Sequence, residues 1–137
     1  MRPLVNVTWD GGVRFTADVR GHKVHVDQPR QGGGEDTAVA PLELLPVALG
    51  TCVAYFVEQF LATRGIDPTG LEVAVGVAGA RDPHRIGRFD VRVSLPGGVP
   101  ERYREAVVRA AETCTVHHTL THRPEIVVSL EEPVAAV

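Results

Sequence analysis

Pro41-Leu42-Glu43-Leu44-Leu45-Pro46-Val47-Ala48-Leu49-Gly50-Thr51-Cys52-Val53-Ala54-Tyr55-Phe56, continuing through apolar residues to Leu61, is the stretch that decides how this chain folds. Pro41 suits a first helical turn, Glu43 complements the positive end of the helix dipole, and Arg64-Gly65 supply a stop. The resulting helix is apolar on almost every side, so it belongs in the middle of a core or at an intersubunit interface. Gly50 on it lets another backbone approach closely. Pro46 lacks an amide donor, which predicts a kink in the first turns and a free backbone carbonyl near residue 42.

Around this helix the chain reads as short strands and one further helix. Residues 3–9 alternate in polarity, Asp10-Gly11-Gly12 predicts a hairpin turn into Val13 to Val19, and Arg20-Gly21-His22 turns again into Lys23 to Asp27. Three antiparallel strands in a meander follow. Residues 28–36, Gln-Pro-Arg-Gln-Gly-Gly-Gly-Glu-Asp, have no apolar anchor and predict a mobile or binding loop. Beyond the helix, Leu71 to Ala78 and Arg88 to Leu95 read as strands joined by the loop at Asp82-Pro83. Pro100 opens a second helix in which Tyr103, Val107, Ala110 or Ala111, and Cys114 recur at spacings of three and four, placing Cys114 on the buried face. Glu125 to Leu130 predicts a closing strand. With no repeat or linker, residues 1–137 form one α+β domain.

At 137 residues, 44% hydrophobic and 23% charged, the chain is sized for one core. A formal charge of −3 gives no electrostatic reason to expect nucleic acid. The first residues lack the apolar run of a signal peptide, and the apolar run around 44–57 is shorter than the roughly 20 residues of a bilayer crossing. A cytoplasmic protein without a membrane partner is therefore expected. In a reducing cytosol two cysteines are reduced, metal-bound or redox-active rather than a permanent bridge.

Cys52 and Cys114 are the chemical candidates. A free thiol has a pKa near 8.5, so only about 3% is thiolate at neutral pH, and a reactive one needs a positive neighbour or hydrogen-bond donors. Arg14, Arg20 and Arg30 are candidate activators of Cys52. Helix propensity falls at Thr113-Cys114-Thr115-Val116, so Cys114 is expected to end one helix and cap a shorter one, near amide donors. The plain alternative is a pair of inert core cysteines. A metal site is another: Cys114, His118 and His122 fall at i, i+4 and i+8, with His117 nearby. Pro124 and the threonines of 113–121 argue against the unbroken helix this would need, and surface histidines are the simpler reading.

Ala40-Pro41-Leu42-Glu43-Leu44-Leu45-Pro46-Val47-Ala48-Leu49-Gly50-Thr51-Cys52, entering a long apolar helix that ends in a glycine turn and a strand, resembles the first cysteine motif of the OsmC/Ohr family of thiol-dependent peroxidases. Cys114-Thr115-Val116-His117-His118-Thr119-Leu120 resembles its second motif, commonly Cys-Pro-Val-x-x-Thr-Leu, and the element order agrees over nearly the whole chain. The OsmC-like branch is the nearest in motif.

The resemblance implies an intertwined homodimer, with antiparallel sheets wrapped around two long central helices and both sites at the interface. It further implies that Cys52 attacks an organic hydroperoxide to give a sulfenic acid, that Cys114 resolves it as a disulfide, and that a dithiol reductant, lipoyl-type in some members, reopens it. No cofactor or metal is called for. In the hydroperoxide-resistance branch an arginine and a glutamate activate the first cysteine. Arg14 is the nearest positional match for the arginine; the glutamate position is Leu42 here, and the acid is Glu43, about 100° further around the helix. With the chemistry removed, the same fold suits a dimeric protein that binds a small apolar ligand.

Overall fold

A computed structural model describes residues 2–133. The first three strands, β1 (Val5–Gly11), β2 (Arg14–Val19) and β3 (His22–Val26), form an antiparallel sheet in that order. Gly11 and Gly12 both take positive φ in the first turn, and Arg20 and Gly21 do so in the second, the geometry that lets a short hairpin follow the strand twist. The register aligns Val5 with Val19, Val7 with Ala17 and Val24, and Trp9 with Phe15 and Val26. Alternation therefore gathers these apolar residues on one face. That face is not packed within the chain: Trp9 is 68% and Val7 60% exposed.

The loop after β3 is tied down by a polar anchor rather than an apolar one. Asp27, fully buried, accepts hydrogen bonds at Oδ2 from the Thr37 hydroxyl (2.7 Å), the Thr37 N–H (3.0 Å) and the Glu35 N–H (3.2 Å), and at Oδ1 from the Gln28 N–H (2.8 Å). A side chain on Gly34 would collide with the Gln28 carbonyl, so only glycine lets the loop close this tightly. These donors, the Thr37 hydroxyl foremost, hold the Asp27 carboxyl at a pKa of about 2. A depressed folded-state pKa stabilises the fold fully above the unfolded value near 3.9, and that contribution disappears as the pH falls toward about 2. Asp27→Asn leaves one oxygen for the three donors at Oδ2 and sets its amide NH2 against the Gln28 N–H. It is expected to lower the melting temperature by several degrees at pH 7, with the gap to wild type closing between about pH 4 and 2 in a series of thermal melts.

Helix α1 (Leu44–Thr63) begins three residues later than its sequence pattern, behind a 3-10 turn over Pro41–Glu43. Pro46 consequently lies in the first α turn, where no intrahelical partner is lost, and the expected kink has no cause. Its buried face carries Leu49, Gly50, Val53, Val57 and Leu61. The helix packs on β4 (Glu72–Ala80), hairpin-paired with β5 (Arg85–Ser94), and on α2 (Arg104–Glu112). Val73, Val75, Phe89, Val91 and Val93 meet it from the sheet, and a Cβ on Gly50 would come within 3.0 Å of Val75 Cγ2. The close neighbour of Gly50 is thus a strand side chain, not the backbone that the sequence predicts. Arg64, after the last turn, lies 3.7 Å over the Phe60 ring and 5.5 Å from Tyr103, joining the end of α1 to the start of α2.

The 23 residues Pro41–Thr63 are together long and apolar enough to cross a bilayer, longer than the run counted from sequence. One stripe of them, from Leu49 to Leu61, is buried against β4 and α2. The opposite face keeps Val47 and Tyr55 in the open.

A short helix α3 (Thr115–Thr121) follows α2. The closing strand predicted at Glu125 to Leu130 does not form: these residues are unpaired, with Ile126, Val127, Val128 and Leu130 exposed. A strand needs a ladder partner, and among the described residues this segment pairs with none of the strand edges.

Candidate active site

The α2–α3 junction places the second cysteine. Thr113 ends α2, its hydroxyl bonding back to the Ala110 carbonyl at 2.6 Å, and the chain turns extended at Cys114 (φ −54°, ψ 129°) before α3 begins. Cys114 is the N-cap that the fall in helix propensity predicts. Its sulfur accepts the His117 N–H at 3.3 Å, and the residue is completely buried.

Cys52 comes from the middle of α1, half-buried on the flank that faces α3. Its sulfur is 3.7 Å from the Thr115 hydroxyl, and both thiols are free. The two cysteines influence each other's ionisation in opposite senses. Burial pushes the Cys52 thiol up, but the Cys114 thiol, the Val116 N–H and the Thr115 hydroxyl and N–H outweigh it, and the net pKa falls below the ordinary thiol value. Burial raises Cys114, hydrogen bonding to Cys52 raises it further, and the His117 N–H offsets only part. One sulfur is thus partly exposed and disposed to ionise, while its neighbour is buried and keeps its proton. Such a pair can supply a nucleophile and a second thiol to close on it.

The two other predicted site residues stand apart from the sulfurs in the single chain. Arg14 Nη1 lies 3.5 Å from Glu35 Oε2, an exposed pair between β2 and the Asp27-anchored loop. Glu43 Oε1 accepts the Ala40 N–H at 2.8 Å, closing the 3-10 turn ahead of α1. Among the described residues neither hydrogen-bonds to Cys52 or Cys114. Arg20 occupies the β2–β3 turn with positive φ, and Arg30 opens the 3-10 turn Arg30–Gly32. The histidine series lacks its helix: α3 starts after Cys114 and ends before His122, and the His122 ring sits 3.0 Å from the His118 carbonyl. No group of three potential ligands gathers among the described residues.

Thr115 was visible in sequence only as the substitute for a proline; a hydroxyl reaching across from another helix leaves no spacing signal. Beside the site, a groove of about 1240 Å³ runs between α1, β5 and α2, walled by Leu49, Val53, Phe89, Val91 and Val107. Leu42 and His117 also line it, whereas neither cysteine opens onto it.

A family model described as OsmC-like protein matches residues 33–129, from the Asp27-anchored loop past α3 into the unpaired segment that follows it. No curated protein matches the chain. Among solved structures it is similar to a protein attributed to the osmotic stress induced and detoxification response of Psychrobacter arcticus 273-4, at TM-score 0.79 and 21% identity, covering 87% of this chain and 88% of that one. An OsmC-like protein from Mycoplasma pneumoniae superposes at TM-score 0.72 and 15% identity, covering 87% and 86%. An organic hydroperoxide resistance protein from Elizabethkingia anophelis does so at 0.66 and 16%, covering 90% and 91%. At these identities the likeness establishes the fold.

Proposed function

Because this chain belongs to the OsmC-like protein family, we propose that it is a cytoplasmic, homodimeric, thiol-dependent reductase of organic hydroperoxides serving oxidative-stress defence. The observation that carries this reading is the pairing of a half-buried Cys52, disposed to ionise, with a buried Cys114 that retains its proton. The Cys52 thiolate attacks the terminal peroxide oxygen: an S–O bond forms, the O–O bond breaks, and the alkoxide leaves as alcohol on taking a proton. Cys114 then attacks the sulfenic sulfur, the S–S bond forms and water departs. A dithiol reductant, lipoyl-type or similar, returns two electrons and two protons.

The dimer is supported by what the single chain leaves uncovered. The apolar face of β1 to β3, the Val47 and Tyr55 side of α1 and the unpaired segment at 125–130 all lack a cover. In such an assembly Arg14 of one protomer is a candidate activator of the other protomer's Cys52, with Glu43 as its acidic companion.

Thiol titration before and after one equivalent of cumene hydroperoxide tests the proposal. Rapid loss of two thiols, with a Cys52–Cys114 disulfide found by mass analysis and absent from Cys52→Ser, is the expected result. Unchanged thiols in the folded protein would overturn it. The apolar groove beside α1 would then favour a second reading, a dimeric protein that binds a small apolar ligand.

A further inference from the structure

We propose that Thr115 is an activating residue for Cys52, its hydroxyl and backbone N–H donating to the sulfur in the place of a charged activator from the same chain. The inference deepens the peroxidase reading and rests on it for its catalytic meaning. The Thr115 hydroxyl is 3.7 Å from Cys52 Sγ, and the amides of Thr115 and Val116 help to lower the pKa of the same thiol. Both amides belong to the first turn of α3 and have no intrahelical acceptor. Among the described residues, Cys114 is the sole titratable group acting on Cys52; Arg14 is engaged with Glu35, and Glu43 with the Ala40 amide.

The backbone does not demand threonine at this place. Cys114 has the extended conformation that a residue before proline adopts, and the first position of a helix accepts proline readily. Proline would fit, but it carries neither a hydroxyl nor an N–H. Threonine therefore adds two donors to Cys52 that the local fold does not require.

Lowering a thiol pKa by one unit raises its thiolate fraction about tenfold while that pKa stays above the pH, at a cost of about threefold in intrinsic nucleophilicity. The net gain is about threefold per unit. The test is the pH dependence of iodoacetamide alkylation of Cys52 in the full chain, with Cys114 intact and the modified site read by mass spectrometry. In Thr115→Val the apparent pKa is expected to rise by about one unit and the rate at pH 7 to fall about threefold. Thr115→Ser should restore both, and Thr115→Pro should raise the pKa further than valine does. Should Thr115→Val change the near-ultraviolet circular dichroism, Thr115→Ala with the same readout decides.

A Thr115→Val profile superimposable on wild type overturns the inference. Because no peroxide enters this assay, it is separable from the peroxidase reading. A wild type inert to hydroperoxide whose Cys52 pKa still moves with residue 115 removes the reaction and leaves the activation standing. Prompt disulfide formation with an unmoved profile does the reverse.

Discussion

Cys52→Ser is expected to reduce hydroperoxide consumption by a factor on the order of 10³ or more, because a serine hydroxyl is not ionised at neutral pH and an alcohol is a poor nucleophile toward peroxide oxygen. Cys114→Ser should behave differently. Its first oxidation should stay within about threefold of wild type, since the serine O–H stands in for the Cys114 S–H as a donor to Cys52 and those of Thr115 and Val116 are unchanged. The sulfenic acid then has no neighbour to condense with. It should persist long enough to be trapped by dimedone, advance to sulfinic acid under excess peroxide, and give little turnover with a dithiol. Stopped-flow oxidation with mass analysis of the adduct separates the two variants. In wild type the first step should rise with pH and level off below the range of an ordinary thiol, because the deprotonated form reacts and the Cys52 pKa is lowered. A Cys114→Ser protein inert to peroxide, beside a Cys52→Ser protein that is still oxidised, would mean that the order of attack is wrong.

The second large effect belongs to the core. Leu61 is fully buried at the C-terminal end of the α1 stripe. Leu61→Ala removes its contacts and leaves a cavity between helix and sheet, which costs about 3 kcal/mol. For a domain stable by roughly 5–15 kcal/mol this is a sizeable share, and the melting temperature should fall by roughly 10 °C. Val47, on the open side of the same helix, is the control. Val47→Ala should cost little in a monomer and appreciably more where a second protomer covers that face. Thermal melts of both variants alongside sedimentation analysis distinguish these cases.

Much of the fold is legible in the sequence because local rules dictate it. Two glycine-bearing turns and the alternation around Val7, Ala17 and Val24 lead directly to the first sheet. The largely apolar pattern from Leu44 to Leu61 leads to α1, and the weak helix propensity at Thr113 to Val116 leads to Cys114 as a cap. What escapes local rules is pairing across distance. Glu125 to Leu130 reads as a closing strand, but its residues do not say what it pairs with, and among the described residues it pairs with nothing. The loop at 28–36 reads as mobile because its anchor is a carboxylate, Asp27, rather than an apolar side chain. Glu43 suits the helix dipole, yet the nearest donor without a partner is the Ala40 amide, and that is where its carboxylate goes.

The complete burial of Cys114 also fixes the direction of the return half of the proposed cycle. Once the disulfide has formed, an incoming reductant meets one accessible sulfur, that of Cys52, so the mixed disulfide must grow there and Cys114 must be the group expelled. A thiol whose protonated form is favoured makes a sluggish leaving group, so in that cycle the disulfide form would be the long-lived species between encounters. The protein would spend most of a stress episode waiting on its electron donor rather than on peroxide. Its working rate in the cell would then track the supply of reduced dithiol.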